Sequence, residues 1–144
     1  MRIVGPARRA VRLLLVAALP ALSACASAPE VSAPAEPTLT CTQAAAFREE
    51  GTASWYGKSH HGKPTASGER FDMGAMTAAH RRLPLGTRVK VTNLRNSREV
   101  TLRINDRGPH TRGRILDVSH KGAEQLGFVD SGTARVRVET LGAC

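Results

Sequence analysis

Residues 99–106 read Glu-Val-Thr-Leu-Arg-Ile-Asn-Asp, with an apolar side chain at every second position from Val100 through Leu102 to Ile104. A two-residue period fits a pleated strand with one buried face and scatters those side chains around a helix. The period recurs in residues 87–94, where Val89 and Val91 share a face, and in residues 133–140, where Val136 and Val138 do. The polar Arg95, Asn96 and Ser97 between the first two runs suit a hairpin turn. Residues 52–56 and 114–119 read as two further short strands. Residues 41–50 and 120–128 read as short helices, the second with Ser119 as its N-cap. The expected fold is mainly β with one or two short helices, a small barrel or sandwich. A closed barrel suits the size because it leaves no strand edge open.

The N-terminus follows a different logic. Residues 1–12 carry Arg2, Arg8, Arg9 and Arg12 and no acid, and residues 13–24 form an apolar run broken by Pro20. That run is shorter than the about 20 residues a membrane-spanning helix needs, and it reads as a secretory signal over residues 1–24. Residues 22–25, Leu-Ser-Ala-Cys, resemble a bacterial lipobox, which implies cleavage before Cys25 and acylation of its thiol. The other reading is an ordinary signal cut near residues 26–28. Ala26 is not the aspartate linked to inner-membrane retention in some bacteria, so the outer membrane is favoured over the inner. Residues 25–50 then form an anchored tether, rich in Pro and Ala over residues 26–40, with the folded domain at residues 51–144.

Loss of the signal and its four arginines lowers the formal charge from +9 to +5. The remainder suits an anionic envelope polymer or lipid headgroups. No nucleic-acid motif is visible, and an exported chain rarely meets nucleic acid. With Cys25 acylated, Cys41 and Cys144 are left flanking the domain in a compartment that permits disulfides. They either pair or remain free thiols. A bridge would close a loop of about 100 residues, worth about 4–5 kcal/mol in the chain-entropy model.

Two acids stand out. Asp106 has the parity of Val100, Leu102 and Ile104, so a strand that persists to it brings its carboxyl out on the apolar side, where partial desolvation favours a proton donor. Asp106 can equally pair with Arg107 or cap the turn. Glu69 follows Gly68 in a polar loop, where a glutamate is ordinarily solvated. His80 can hold a carboxylate, or end a short helix at the surface. Trp55 and Tyr56, the sole Trp and Tyr, can stack on a sugar ring or belong to the core. The five histidines form no HExxH arrangement, so neither a metal nor another cofactor is expected.

These segments in order resemble the rare lipoprotein A (RlpA-like) family of bacterial cell-wall proteins. The matching stretches are GTASWYG, HGKPTASGE, MTAAHRRLPLGTRVKVTNL, INDRGPH and RILDVSHKGAEQLG, which cover nearly all of residues 51–127. The resemblance implies a six-stranded double-psi β-barrel. It implies a lyase, a lytic transglycosylase that cleaves the β-1,4 bond between N-acetylmuramic acid and N-acetylglucosamine in peptidoglycan. Such enzymes leave 1,6-anhydro ends and prefer glycan strands stripped of peptides. Carried onto this chain, Asp106 is the principal acid/base, Glu69 its partner and His80 the residue that orients or tunes the carboxyls. Trp55, Tyr56, His61, Asn105 and Arg107 are the implied sugar contacts. The position before His61, often aromatic in the family, is His60 here. Many members continue into a SPOR domain; this sequence is expected to be a member without one, so septal targeting is not carried over. The expected protein is a monomer on the periplasmic face of the envelope, bound to peptidoglycan and anchored in the membrane through Cys25. Two other readings stay open: a non-catalytic, expansin-like glycan binder and a structural envelope lipoprotein.

Overall fold

The structure, a computed structural model, describes residues 35–142. The signal segment, Cys25, the first part of the tether and Cys144 lie outside the described residues. Six strands close into a barrel: β1 (Arg48–Trp55), β2 (Thr77–Ala79), β3 (Arg88–Asn93), β4 (Glu99–Asp106), β5 (Arg114–Val118) and β6 (Thr133–Thr140). Their order around the barrel is β1-β5-β2-β4-β3-β6. Two contacts are parallel, β1 with β5 and β2 with β4, and the remaining four are antiparallel. This closed six-stranded mixed barrel accords with the double-psi architecture.

The alternating runs form the expected strands, and their apolar faces fill the barrel. Val89, Val91, Leu102, Ile104, Val136 and Val138 are all buried. The turn between β3 and β4 falls where the polar residues predicted it. Helix α2 (His120–Leu126) is capped by the Ser119 hydroxyl, which accepts from the Gly122 amide at 3.1 Å. It ends at Gly127, whose φ of 75° is the left-handed conformation that glycine adopts without a Cβ penalty.

Three elements differ from the sequence reading. Helix α1 covers only Cys41–Ala44, with Thr40 and Gln43 forming a capping box, and Arg48–Glu50 are drawn into β1 instead. Pairing decides this: Arg48, Glu49 and Glu50 register with Glu139, Val138 and Arg137 of β6. Ordered structure therefore begins well before residue 51, and Leu39 and Phe47 pack on the core. Strand β2 was not anticipated, because its three residues are buried throughout and show no alternation. Finally, β4 does persist to Asp106, but the β2–β4 register shifts, so that Ala78 faces Ile104 and Ala79 faces Asp106. The extra residue, Asn105, is buried, while Asp106 is half-buried. Such a bulge re-aims the side chains beyond it.

Candidate active site

The loop from Thr65 to Glu69 docks on the end of β4. The Ser67 amide donates to the Asn105 carbonyl at 3.1 Å, and the Thr65 amide to the Glu69 carbonyl at 2.7 Å. Gly68, at φ 88°, supplies the backbone bend that the loop needs. The Ala66 amide donates to Asp106 Oδ1 at 2.9 Å, and the Arg107 amide donates to the same oxygen at 2.8 Å. Oδ2 of Asp106 accepts from the Tyr56 hydroxyl at 3.1 Å. Asp106 thus sits in a cage of three donors, not at an apolar mouth. One of its four acceptor positions, on Oδ2, stays open.

Glu69 lies on the same loop. Arg103 grips it with both terminal nitrogens, at 2.7 and 2.9 Å, and Asn105 Nδ2 adds a contact at 3.4 Å. The Arg103 guanidinium first, and Asn105 second, hold the Glu69 carboxyl below the usual carboxylate range. Glu69 is therefore an ionised, oriented acid next to the residue that precedes Asp106. Tyr56 packs on Phe71 and His60 with ring centroids 4.9 and 5.1 Å away. Burial foremost, then the charge of Asp106, pushes its phenol well above the usual value, so it stays protonated and donates.

His80 reaches this site only through its backbone. Its amide donates to the Asp106 carbonyl at 3.2 Å. The ring is buried and faces the other way, with Nε2 3.2 Å from Glu49 Oε2. Nδ1 accepts from the amides of Arg82 and Leu83 at 3.1 and 3.0 Å. Two donors on Nδ1 put the proton on Nε2, which donates to Glu49. Phe47 meets the ring edge-on at 5.2 Å. The surface position contemplated for His80 is thus not what the fold adopts, because β2 carries it inward.

Of the implied sugar contacts, Tyr56 and Asn105 touch the carboxyls directly. Arg107 turns back to donate to the carbonyls of His80 and Leu83, at 3.3 and 2.7 Å. His61 is exposed, and its Nδ1 accepts from the Met73 amide at 3.2 Å. Trp55 is half-buried against the core, with Nε1 3.3 Å from the Val129 carbonyl and His120 at its edge. Cys41 is disulfide-bonded.

One acid escaped the sequence reading. Asp117 is the next-to-last residue of β5, 7% exposed, among buried Ile115, Leu116 and Val118. Its Oδ1 accepts a short hydrogen bond from Ser54. Arg114 donates to that hydroxyl at 2.7 Å and to Thr111 Oγ1 at 2.8 Å, and lies 3.8 Å from Asp117 Oδ2. The signal was present: an acid inside Ile-Leu-Asp-Val is a polar group at a core position.

The family described as lytic transglycolase matches residues 48–138. The probable endolytic peptidoglycan transglycosylase RlpA of Nostoc is 60% identical over 95 residues, which are 65% of this chain and 26% of that protein. The endolytic peptidoglycan transglycosylases RlpA of Neisseria meningitidis and Pseudomonas aeruginosa are 52% and 53% identical, over 69% and 68% of this chain. The chain spans only 41% and 29% of their respective lengths. Among solved structures, the Streptomyces papain inhibitor superposes with a TM-score of 0.52 at 19% identity, over 65% of this chain and 94% of that one. An expansin of Clavibacter michiganensis gives 0.52 at 17%, over 66% and 50%. These two likenesses concern the fold alone.

Proposed function

The chain belongs to the lytic transglycolase family of double-psi barrels, and from that premise we propose that it is a peptidoglycan lytic transglycosylase. It cleaves the β-1,4 bond after N-acetylmuramic acid and closes a 1,6-anhydro ring on the sugar, acting on glycan strands freed of peptides. The observation that carries this reading is the docking of one loop, Thr65–Glu69, on the end of β4, which joins two oriented carboxyls through Asn105 and the Ala66 amide.

The chemistry follows from the partners of each acid. Cleavage builds positive charge at the anomeric carbon, which fixed negative groups stabilise. Glu69, held ionised by Arg103, supplies that charge. Asp106 has an acceptor position open on Oδ2 and takes the proton of the C6 hydroxyl as that oxygen bonds to C1. Tyr56 holds Asp106 from the other side. Asn105 and Arg107 act as positioning residues, the first on Glu69 and the second by stapling the turn after β2. His80 works at one remove, since its ring fixes the turn whose carbonyls hold Arg107. His61, Trp55 and Tyr56 are the sugar contacts. Acylation at Cys25 tethers a monomeric barrel to the envelope, at the outer membrane.

The test is digestion of amidase-treated sacculi with the full chain, with products read by mass spectrometry. Soluble fragments with anhydro-muramyl ends are expected, and Asp106→Asn abolishes them. Ordinary reducing ends mark a hydrolase, and tight binding without fragments marks a glycan-binding module; either outcome ends the proposal.

A further inference from the structure

In the proposed reaction Asp106 takes up the C6 proton, and the departing O4 needs a proton as well. Breaking the C1–O4 bond near neutral pH requires an acid for the departing oxygen. Glu69 is ionised, and both its oxygens are engaged by Arg103. Tyr56 is held protonated and is a weak acid. The remaining carboxyl is Asp117, and the barrel brings it into the same row as Asp106. Ser54 of β1 registers with Asp117 of β5, Asp117 with Ala79 of β2, and Ala79 with Asp106 of β4. Registered neighbours on adjacent strands share a face. Asp117 and Asp106 therefore flank Ala79, whose methyl occupies little of the space between them. Two strand spacings put their Cα atoms about 10 Å apart. Tyr56 lies on the Asp106 side of this gap, with its hydroxyl bonded to Asp106.

The two carboxyls differ in how many donors they meet. Asp106 accepts three hydrogen bonds. Asp117 accepts one, on Oδ1 from Ser54, and among the described residues no hydrogen bond reaches its Oδ2. The Arg114 guanidinium lies 3.8 Å from Oδ2, within ion-pair distance but beyond a hydrogen bond, and it donates to Ser54 and Thr111. Oδ2 of Asp117 is therefore an oxygen with room for a transferable proton, in a side chain that is 11% exposed.

We propose that Asp117 is a second catalytic carboxyl of this site, the general acid that protonates the leaving glycosidic oxygen, paired with Asp106 across Ala79. The proposal rests on the transglycosylase reading and deepens it. As C1–O4 breaks, the proton on Asp117 Oδ2 passes to O4 of the departing N-acetylglucosamine. The C6 oxygen bonds to C1, and its proton passes to Asp106 Oδ2. No water is added and nothing is oxidised or reduced. Asp117 is left ionised and Asp106 protonated, and both exchange protons with solvent before the next turnover. Ser54, held by Arg114, sets the direction of the Asp117 carboxyl and is a positioning residue.

An acid is distinguished from a structural carboxyl by the leaving group it serves. The full chain and Asp117→Asn are compared on amidase-treated sacculi and on a soluble muramyl glycoside with a dinitrophenolate leaving group, which departs without a proton. Asp117→Asn is expected to lose about 100-fold or more on sacculi and to stay within a few-fold of the unchanged chain on the dinitrophenyl substrate. Asp106→Asn is expected to lose activity on both. Ser54→Ala keeps the carboxyl and decides the matter if Asp117→Asn fails to fold: it should be slowed on sacculi and not on the activated substrate. Equal losses on the two substrates, or none on sacculi, in a folded variant overturn the assignment of Asp117 alone. An unchanged chain that releases no anhydro ends overturns the transglycosylase reading, and this assignment with it.

Discussion

Arg103 and Glu69 form a two-pronged ion pair on the barrel rim, with both side chains nearly half exposed. Water screens such a pair, so its contribution to stability is small, and its consequence is the charge state of Glu69. The pair and Asn105 hold this carboxyl down. Arg103→Gln removes the larger influence, so Glu69 takes up a proton at a higher pH. The acidic limb of the cleavage profile should then move upward in pH with the alkaline limb unchanged, and an NMR titration of the Glu69 side-chain carbon should move with it. His80 has a different task. Its Nδ1 satisfies two amides, one of them the buried Leu83 N–H, so His80→Ala should lower unfolding free energy by about 1–3 kcal/mol in denaturant titration. The same ring, by its hydrogen bond, holds Glu49 below its ordinary 4.5. A depressed carboxylate contributes stability above its unfolded pKa and loses it as pH falls through the folded one. The loss of stability on acidification below about pH 4.5 should therefore be shallower in Glu49→Gln. Both carboxyls of the loop site could be singled out from residue types and motif order, whereas the inward turn of His80 could not. It depends on β2, a strand with no periodic signature. Asp117 was legible as an acid in an apolar run, but its link to Asp106 depends on three strand registers.

At the scale of elements, β1 and β5 touch more closely than a side chain on Gly51 would permit. A Cβ there would fall 2.7 Å from Ile115 Cγ2 and 2.9 Å from Cγ1. Ile115 is buried and branched at Cβ, so it cannot swing aside. Gly51→Ala should cost about 1–3 kcal/mol by overpacking. Ile115→Ala should cost less in the Gly51→Ala background than alone, and a thermal-melt double-mutant cycle reads the difference, expected at about 0.5–3 kcal/mol. Equal costs in the two backgrounds would place the strain elsewhere. This parallel pair also carries Ser54 and Asp117, so the same cycle followed by activity reports how closely the acid depends on strand approach. The period-two strands β3, β4 and β6 could be read directly because one face of each is apolar and the other polar. Residues 48–50 could not, since Arg-Glu-Glu has helical propensity by itself and becomes strand only by pairing with β6. Nor could the bulge at Asn105, because alternation carries no mark of an inserted residue.

For the whole molecule, the barrel closes where its two ends meet. β1 is the first strand and β6 the last, and they pair over seven registered positions from Arg48–Glu139 to Ser54–Thr133. That seam joins residues far apart in sequence, so it forms late and at high loop-closure cost. Opening it would expose the edges of β1 and β6 and invite pairing with other chains. Two features guard it. Leu39 and Phe47, just ahead of β1, pack on the core, and the Thr140 hydroxyl donates to the Ala44 carbonyl at 2.6 Å. Cys41 lies in this same clasp and is disulfide-bonded. We expect its partner to be Cys144, which would tie the chain end to α1 across the seam. Peptide mapping of unreduced protein should then recover a Cys41–Cys144 cross-linked pair, and Cys41 joined to any other cysteine overturns the assignment. The bridge would remove loop entropy from the unfolded chain, so reduction should lower the denaturation free energy by up to about 4–5 kcal/mol. The midpoint should fall most, and aggregation on unfolding should rise as the barrel edges open. A barrel that keeps its midpoint after full reduction would show that strand pairing and the Leu39–Phe47 clasp close it unaided.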